Sequence, residues 1–143
     1  MDNFKNNIDL CRKLFLEVLD TNDSRIAFIE NALADENYFN NLPIDKKSKL
    51  DEALEILISN ARVDEIRKMQ QAHFGPLLGK INSLDIEALI ELLKNDENAF
   101  IDYIQLLTIF YFRKDIETEN HHHDKIRDLM DVTSKKIIKI IKE

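Results

Sequence analysis

The chain has 143 residues, of which 44% are hydrophobic, and its 20 basic and 27 acidic side chains give a formal net charge of -7. This length suits one globular domain, 1–143, that buries roughly two thirds of its unfolded surface. Two glycines and two prolines are too few for the turns of an all-β fold, whereas leucine, isoleucine, glutamate and lysine recur at helical spacing, which predicts an all-α domain. The acidic balance disfavours general binding to nucleic acid, which requires a basic face.

The cellular compartment is predicted from the cysteine content and from the amino terminus. Cys11 is the single cysteine, so no internal disulfide can form. The first ten residues, MDNFKNNIDL, lack the basic and then apolar order of a secretory signal, and no run approaches the roughly 18 apolar residues of a membrane span. We therefore expect a cytoplasmic protein without a membrane span.

The first helix is predicted from one apolar stripe. Its members follow each other at alternating spacings of four and three residues: Phe4, Ile8, Cys11, Phe15 and Val18. The helix should end in the polar run at 20–24, whose Asp, Asn and Ser side chains can cap a second helix from about Arg25. Cys11 lies on the stripe, where a lone thiol is most often a small buried hydrophobe.

Pro43 separates the second and third helices, because the residue before a proline is steered away from helical geometry. The segment before it contributes three apolar anchors: Tyr38, Phe39 and Leu42. The third helix should begin near Ile44 or Asp45. Its apolar stripe changes phase near 59–64, which predicts a kink or a break, and "HFGP" at 73–76 should close it.

The next two helices differ in kind. The fourth should be capped by Asn82 or Ser83 and should end at Asn95. The fifth, residues 99–112, is apolar almost all the way round, and its main polar interruptions are Asp102, Gln105 and Thr108. A helix of this kind belongs in the middle of a domain. The sequence therefore predicts an all-α bundle of about six helices around a central apolar helix.

The last helix should start around the histidines at 121–123. Its predicted buried side consists of Ile126, Leu129, Met130, Ile137, Ile140 and Ile141. Four lysines should lie on the outside: Lys135, Lys136, Lys139 and Lys142. Because the stripe runs nearly to the last residue, Ile137, Ile140 and Ile141 are candidates for contact with another protein, or with a second copy of the chain in a homodimer.

The histidine cluster allows three interpretations. Glu119 lies three residues before His122, a spacing that places a carboxylate and an imidazole on one helix face for a metal such as zinc or iron. Glu119, His122 and His123 are therefore candidate metal ligands. The cluster can equally be the solvated start of a helix, or a group that senses pH. His73 is a separate candidate ligand for haem, with a buried structural histidine as the alternative.

Catalytic motifs are absent from the sequence: it contains no nucleophile elbow, no glycine-rich phosphate loop and no Cys-x-x-Cys. We therefore expect a non-enzymatic protein without a cofactor that acts through protein–protein interaction, as an adaptor, regulator or inhibitor. Tyr38, Phe39 and Leu42 are the first candidates for its partner-binding surface. The alternative is a sensor that binds a metal or haem through histidine and signals through its last helix. A metal-dependent enzyme using Glu119 and His122 is a third hypothesis.

Overall fold

The computed structural model describes residues 2–59, 74–77, 79–81, 83, 85–112 and 123–142. Its six long helices are, in chain order, α1 (Asp2–Val18), α2 (Asn22–Ala34), α3 (Ile44–Ser59), α4 (Ile86–Asn95), α5 (Glu97–Phe112) and α6 (His123–Lys142). Residues 74–77 and 79–81 are also helical, and no strand occurs in the described part of the chain. The all-α prediction is confirmed. The predicted break near 59–64 lies outside the described residues, apart from residue 59 at the end of α3.

Helix α5 is the centre of the fold, as its apolar sequence predicts. It packs against α1, α2, α4 and α6, whereas α3 packs mainly against α1. Twelve of its 16 residues are buried. Tyr103, Ile104 and Leu107 are completely enclosed. The other helices therefore form a shell whose members each contribute one apolar side to a common core.

Helix boundaries follow local hydrogen bonding, and three of them differ from the prediction. α2 begins before Arg25, because the Thr21 hydroxyl accepts from the Ser24 backbone N–H at 3.0 Å and the Ser24 hydroxyl accepts from the Thr21 backbone N–H at 3.1 Å. This reciprocal capping box starts the helix at Asn22. α4 is capped by Asp85, whose carboxylate accepts from the backbone of Ala88.

The predicted cap at Asn82 or Ser83 is therefore wrong. The Ser83 hydroxyl instead donates to the carbonyl of Gly79 at 2.9 Å. The predicted stop at 73–76 is also wrong, because residues 74–77 are helical and Phe74 and Leu77 are buried. Proline has a φ angle that suits a helix, so Pro76 is compatible with the helical geometry of residues 74–77. The beginning of α3 at Ile44 and the end of α4 at Asn95 agree with the sequence.

Two arginines connect distant parts of the bundle. Arg12 of α1 holds Asp102 of α5 with two parallel hydrogen bonds of 3.0 and 2.8 Å, and the Asp102 side chain is only 7% exposed. Arg25 is buried, donates to the carbonyl of Leu19 at 2.9 Å, and lies 3.2 Å from the carboxylate of Glu97. The bidentate pair of Arg12 and Asp102 fixes both distance and orientation, so it sets how α1 meets the central helix. Arg25 makes a single contact with Glu97, whose side chain is 62% exposed, and this contact links α2 to the start of α5 more weakly.

Cys11 is buried, as predicted, at the contact between α1 and α3. Its thiol donates to the backbone carbonyl of Ala53 at 3.1 Å. Burial raises the pKa of the Cys11 thiol from 9.0 to about 12. Burial likewise raises the pKa of Tyr103 and of Tyr111 above the ordinary value of 10.0.

These pKa values predict that the fold loses stability in alkali. Below pH 9 the Cys11 thiol is protonated in both the folded and the unfolded chain. Between pH 9 and the raised folded value, only the unfolded chain releases the proton. The free energy of unfolding should therefore fall by up to about 1.4 kcal/mol per pH unit, and the two tyrosines should steepen the fall above pH 10.

Urea unfolding followed by circular dichroism from pH 7 to pH 10 measures this slope. The matched variant Cys11→Ala lacks the thiol and should show a flatter profile between pH 9 and 10. An equally steep fall in Cys11→Ala would contradict the assignment to Cys11.

Candidate interaction surface

Helix α6 is held on the bundle by one continuous buried side. Met130 and Ile137 are completely enclosed, and α6 packs against α2, α4 and α5. The buried side also carries polar groups: the hydroxyls of Ser134 and Tyr103 share a hydrogen bond of 2.6 Å. Since both residues are fully buried, this bond fixes the rotation of α6 about its axis.

The rotation of α6 corrects part of the sequence prediction. Met130 and Ile137 lie seven residues apart on the buried side, and Ile141 packs partly against the core. Ile140, which was predicted to be buried, is 39% exposed. A step of three residues from Ile137 to Ile140 turns the helix by about 300°, which carries Ile140 to the edge of the core. Val132, which the prediction missed, is 43% exposed.

The outward side of α6 combines these apolar residues with lysines. We call this set the α6 outer face, and its members are Val132, Lys135, Lys136, Lys139 and Ile140. All five residues are exposed. Val132, Lys136 and Ile140 succeed each other at four-residue steps, which places them along one side of the helix. A helical projection of the sequence would have found Val132 from this spacing.

The lysines of α6 differ in their partners. The ammonium group of Lys135 lies 2.9 Å from the carboxylate of Asp131, and that of Lys142 lies 2.9 Å from Glu30 of α2. Lys136 and Lys139 form no ion pair in the part of the chain that the structure describes. Within the described residues, the α6 outer face therefore carries two positive charges without a compensating carboxylate.

The amino-terminal half of α6 is fixed by a polar contact with α5. The Tyr111 hydroxyl donates to Asp131 at 3.2 Å, and the guanidinium of Arg127 lies 5.1 Å from the centre of the Tyr111 ring. Beside this contact a cavity of about 230 Å³ opens between α2, α5 and α6, and Glu36 and Asp128 belong to its wall. Together with the bond between Tyr103 and Ser134, the contact gives α6 two polar attachments to the central helix.

The residues predicted first as a partner surface contribute mainly to the core. Phe39 is 2% exposed, stacks on Phe112 with ring centres 5.4 Å apart, and has the Lys47 ammonium 5.5 Å above its ring. Tyr38 is half-buried, and its ring meets Phe28 edge to face. Leu42 is half-buried as well. Phe39 is therefore a packing anchor, and a partner-binding role for this segment stays a prediction.

The histidine predictions fall outside what the structure describes. His73, Glu119 and His122 belong to undescribed segments, and of His123 only the backbone, at the start of α6, is described. Among the described residues, no group of three or more histidine, cysteine or acidic side chains is arranged to hold a metal ion. The metal and haem hypotheses stay predictions.

Comparisons with known proteins return no match with a family model, a curated protein or a solved structure. Among the described helices, none has the length and apolar character needed to span a membrane. The fold defines the chain as an all-α helical bundle.

Proposed function

We propose that the protein is a non-enzymatic interaction module, an adaptor, regulator or inhibitor, that contacts another protein through the α6 outer face. The observation that carries this proposal is the combination, on one side of one helix, of exposed Val132 and Ile140 with Lys136 and Lys139, which have no ion pair among the described residues. Apolar contacts bordered by charges that a partner can compensate supply both affinity and specificity.

The packing of the opposite side of α6 in the core favours the proposal. Met130, Ile137 and the Tyr103–Ser134 hydrogen bond hold the opposite side of α6 in the core. The helix therefore presents its outer face with little conformational freedom. A partner that binds a preorganised surface loses less entropy than one that must first order it.

The chemistry of Cys11 disfavours one kind of catalysis, nucleophilic attack by a thiolate. A thiolate is the reactive form of cysteine, and burial keeps the Cys11 thiol protonated at neutral pH because its pKa is about 12. The single thiol of the chain is thus a poor nucleophile.

A homodimer through α6, predicted as an alternative, is less well supported than a different partner. In a two-fold antiparallel pairing, Lys136 lies at the midpoint between Val132 and Ile140. It would face the Lys136 of the second copy, and a parallel pairing would likewise bring lysines together. Like charges at the centre of an interface disfavour association.

The test is affinity capture from the lysate of the source cells with three forms of the full chain. These are the wild type, Val132→Ser/Ile140→Ser, and the matched control Leu10→Ser/Ile44→Ser, which changes two exposed apolar residues on α1 and α3. We expect a protein that the wild type and the control retain equally and that the α6 variant retains at least about tenfold less, because two apolar contacts are lost.

Thermal unfolding of each variant shows whether the fold is intact. Equal capture by all three folded forms would contradict the proposal.

A further inference from the structure

We infer that the partner of the α6 outer face is an acidic amphipathic helix of another protein. This inference rests on the proposed function and adds the chemistry of the partner. It follows from the charge, the spacing and the accessibility of the residues on that face.

The charge of α6 contrasts with that of the rest of the chain. Residues 1–112 contain 12 basic and 20 acidic side chains, so most of the chain repels an acidic partner. Lys136 and Lys139 are exposed and lack a compensating carboxylate in the described part of the chain, whereas Lys135 and Lys142 already have one. An acidic partner is therefore attracted to α6 and repelled elsewhere, which orients it before contact.

The spacing of the apolar residues on the α6 outer face determines the spacing of apolar residues that a complementary helix needs. Val132 and Ile140 are eight residues apart, which is about 12 Å along the helix axis. Lys136 and Lys139 lie between them in the sequence. A complementary helix has apolar side chains seven or eight residues apart, with aspartate or glutamate between them on the same side.

An anionic membrane is a poorer fit to the same charge. The isoleucine and methionine that α6 would need for insertion, Ile137 and Met130, are enclosed in the core. Among the described side chains of α6, only Val132 and Ile140 are large, apolar and exposed, and stable interfacial binding requires a broad apolar side. The acidic residues of the remaining chain would be repelled by anionic lipid. Nucleic acid is disfavoured for a related reason, since the two lysines that have no ion pair among the described residues would release few counterions.

The experiment is photo-crosslinking in the lysate of the source cells with the full chain carrying p-benzoylphenylalanine in place of Ile140. The crosslinked peptide is identified by mass spectrometry. We expect a peptide from another protein with an excess of aspartate and glutamate at helical spacing. Adding Lys136→Glu/Lys139→Glu should lower the crosslinking yield at least about tenfold, because two attractive contacts become repulsive.

The matched control is Lys13→Glu/Lys46→Glu, which makes the same change in net charge at exposed lysines of α1 and α3 and should leave the yield unchanged. A yield that survives Lys136→Glu/Lys139→Glu would overturn the acidic partner, while the loss of capture by Val132→Ser/Ile140→Ser would still support the proposed function. A yield that falls equally in both charge variants would also overturn it, because net charge alone would then explain the effect.

Three further results would overturn the inference in other ways. A crosslink to a second copy of the chain would identify self-association. Co-sedimentation with vesicles of equal phosphatidylserine and phosphatidylcholine, abolished by Lys136→Glu/Lys139→Glu, would identify a membrane. The absence of any crosslinked protein, with equal capture by all forms, would overturn both the partner and the proposed function.

Discussion

Replacing Asp102 with alanine should lower the free energy of unfolding by about 3 to 5 kcal/mol, because the mostly buried guanidinium of Arg12 then loses its partner. Asp102 accepts both hydrogen bonds of that guanidinium, and its own side chain is 7% exposed. The pair joins α1 to the central helix across 90 residues of sequence. Urea unfolding at pH 7, followed by circular dichroism, measures the loss.

The control for this prediction is Asp9→Ala. Asp9 lies 3.7 Å from the same guanidinium but is 58% exposed. Its removal should therefore cost less than about 1 kcal/mol. The double variant Arg12→Met/Asp102→Leu removes both charges and should recover much of the stability that Asp102→Ala loses. A smaller loss in Asp102→Ala than in Asp9→Ala would show that the ion pair does not hold α1 in place.

Replacing Phe39 with alanine should lower the free energy of unfolding by about 3 to 5 kcal/mol, the usual cost of removing a buried aromatic ring. Phe39 fills the space between the turn after α2 and the end of α5, where it stacks on Phe112. The loss should appear as a shift of the urea midpoint.

Ile44→Ala is the natural control, because Ile44 lies just beyond the same turn and is 83% exposed. A change within about 0.5 kcal/mol is expected there. If Phe39→Ala were as stable as the wild type, Phe39 would not be a packing anchor. The prediction that Phe39 binds a partner would then be favoured again.

The parts of the fold that the sequence predicts well depend on local interactions. Pro43 acts within a few residues, so α3 begins at Ile44 as predicted, and the polar run before α2 caps that helix, although three residues earlier than predicted. The apolar character of 99–112 predicts the central helix, because a helix without a polar side must be surrounded. These predictions need no knowledge of how the helices meet.

Two of the errors are local, the stop at 73–76 and the cap at Asn82 or Ser83, and the others concern relations between helices. In the sequence, Asp102 is a polar interruption of an apolar helix. Its partner Arg12 is 90 residues away, so their contact becomes visible only in the folded structure. Ile137 and Ile140 look equivalent in a loose apolar stripe, and the packing of α6 on three other helices decides which one is buried. The α6 outer face was predicted only in part for the same reason: its lysines and Ile140 were named, but Val132 was not.

Because Cys11 is buried, the rate at which its thiol is chemically labelled reports local opening of the fold. Because Cys11 is the single thiol of the chain and lies between α1 and α3, a thiol reagent reaches it only when these two helices separate or the whole domain unfolds. When closing is faster than labelling, the labelling rate under native conditions measures the free energy of that opening. Comparison with the global unfolding free energy would show whether α1 and α3 open alone or together with the central helix.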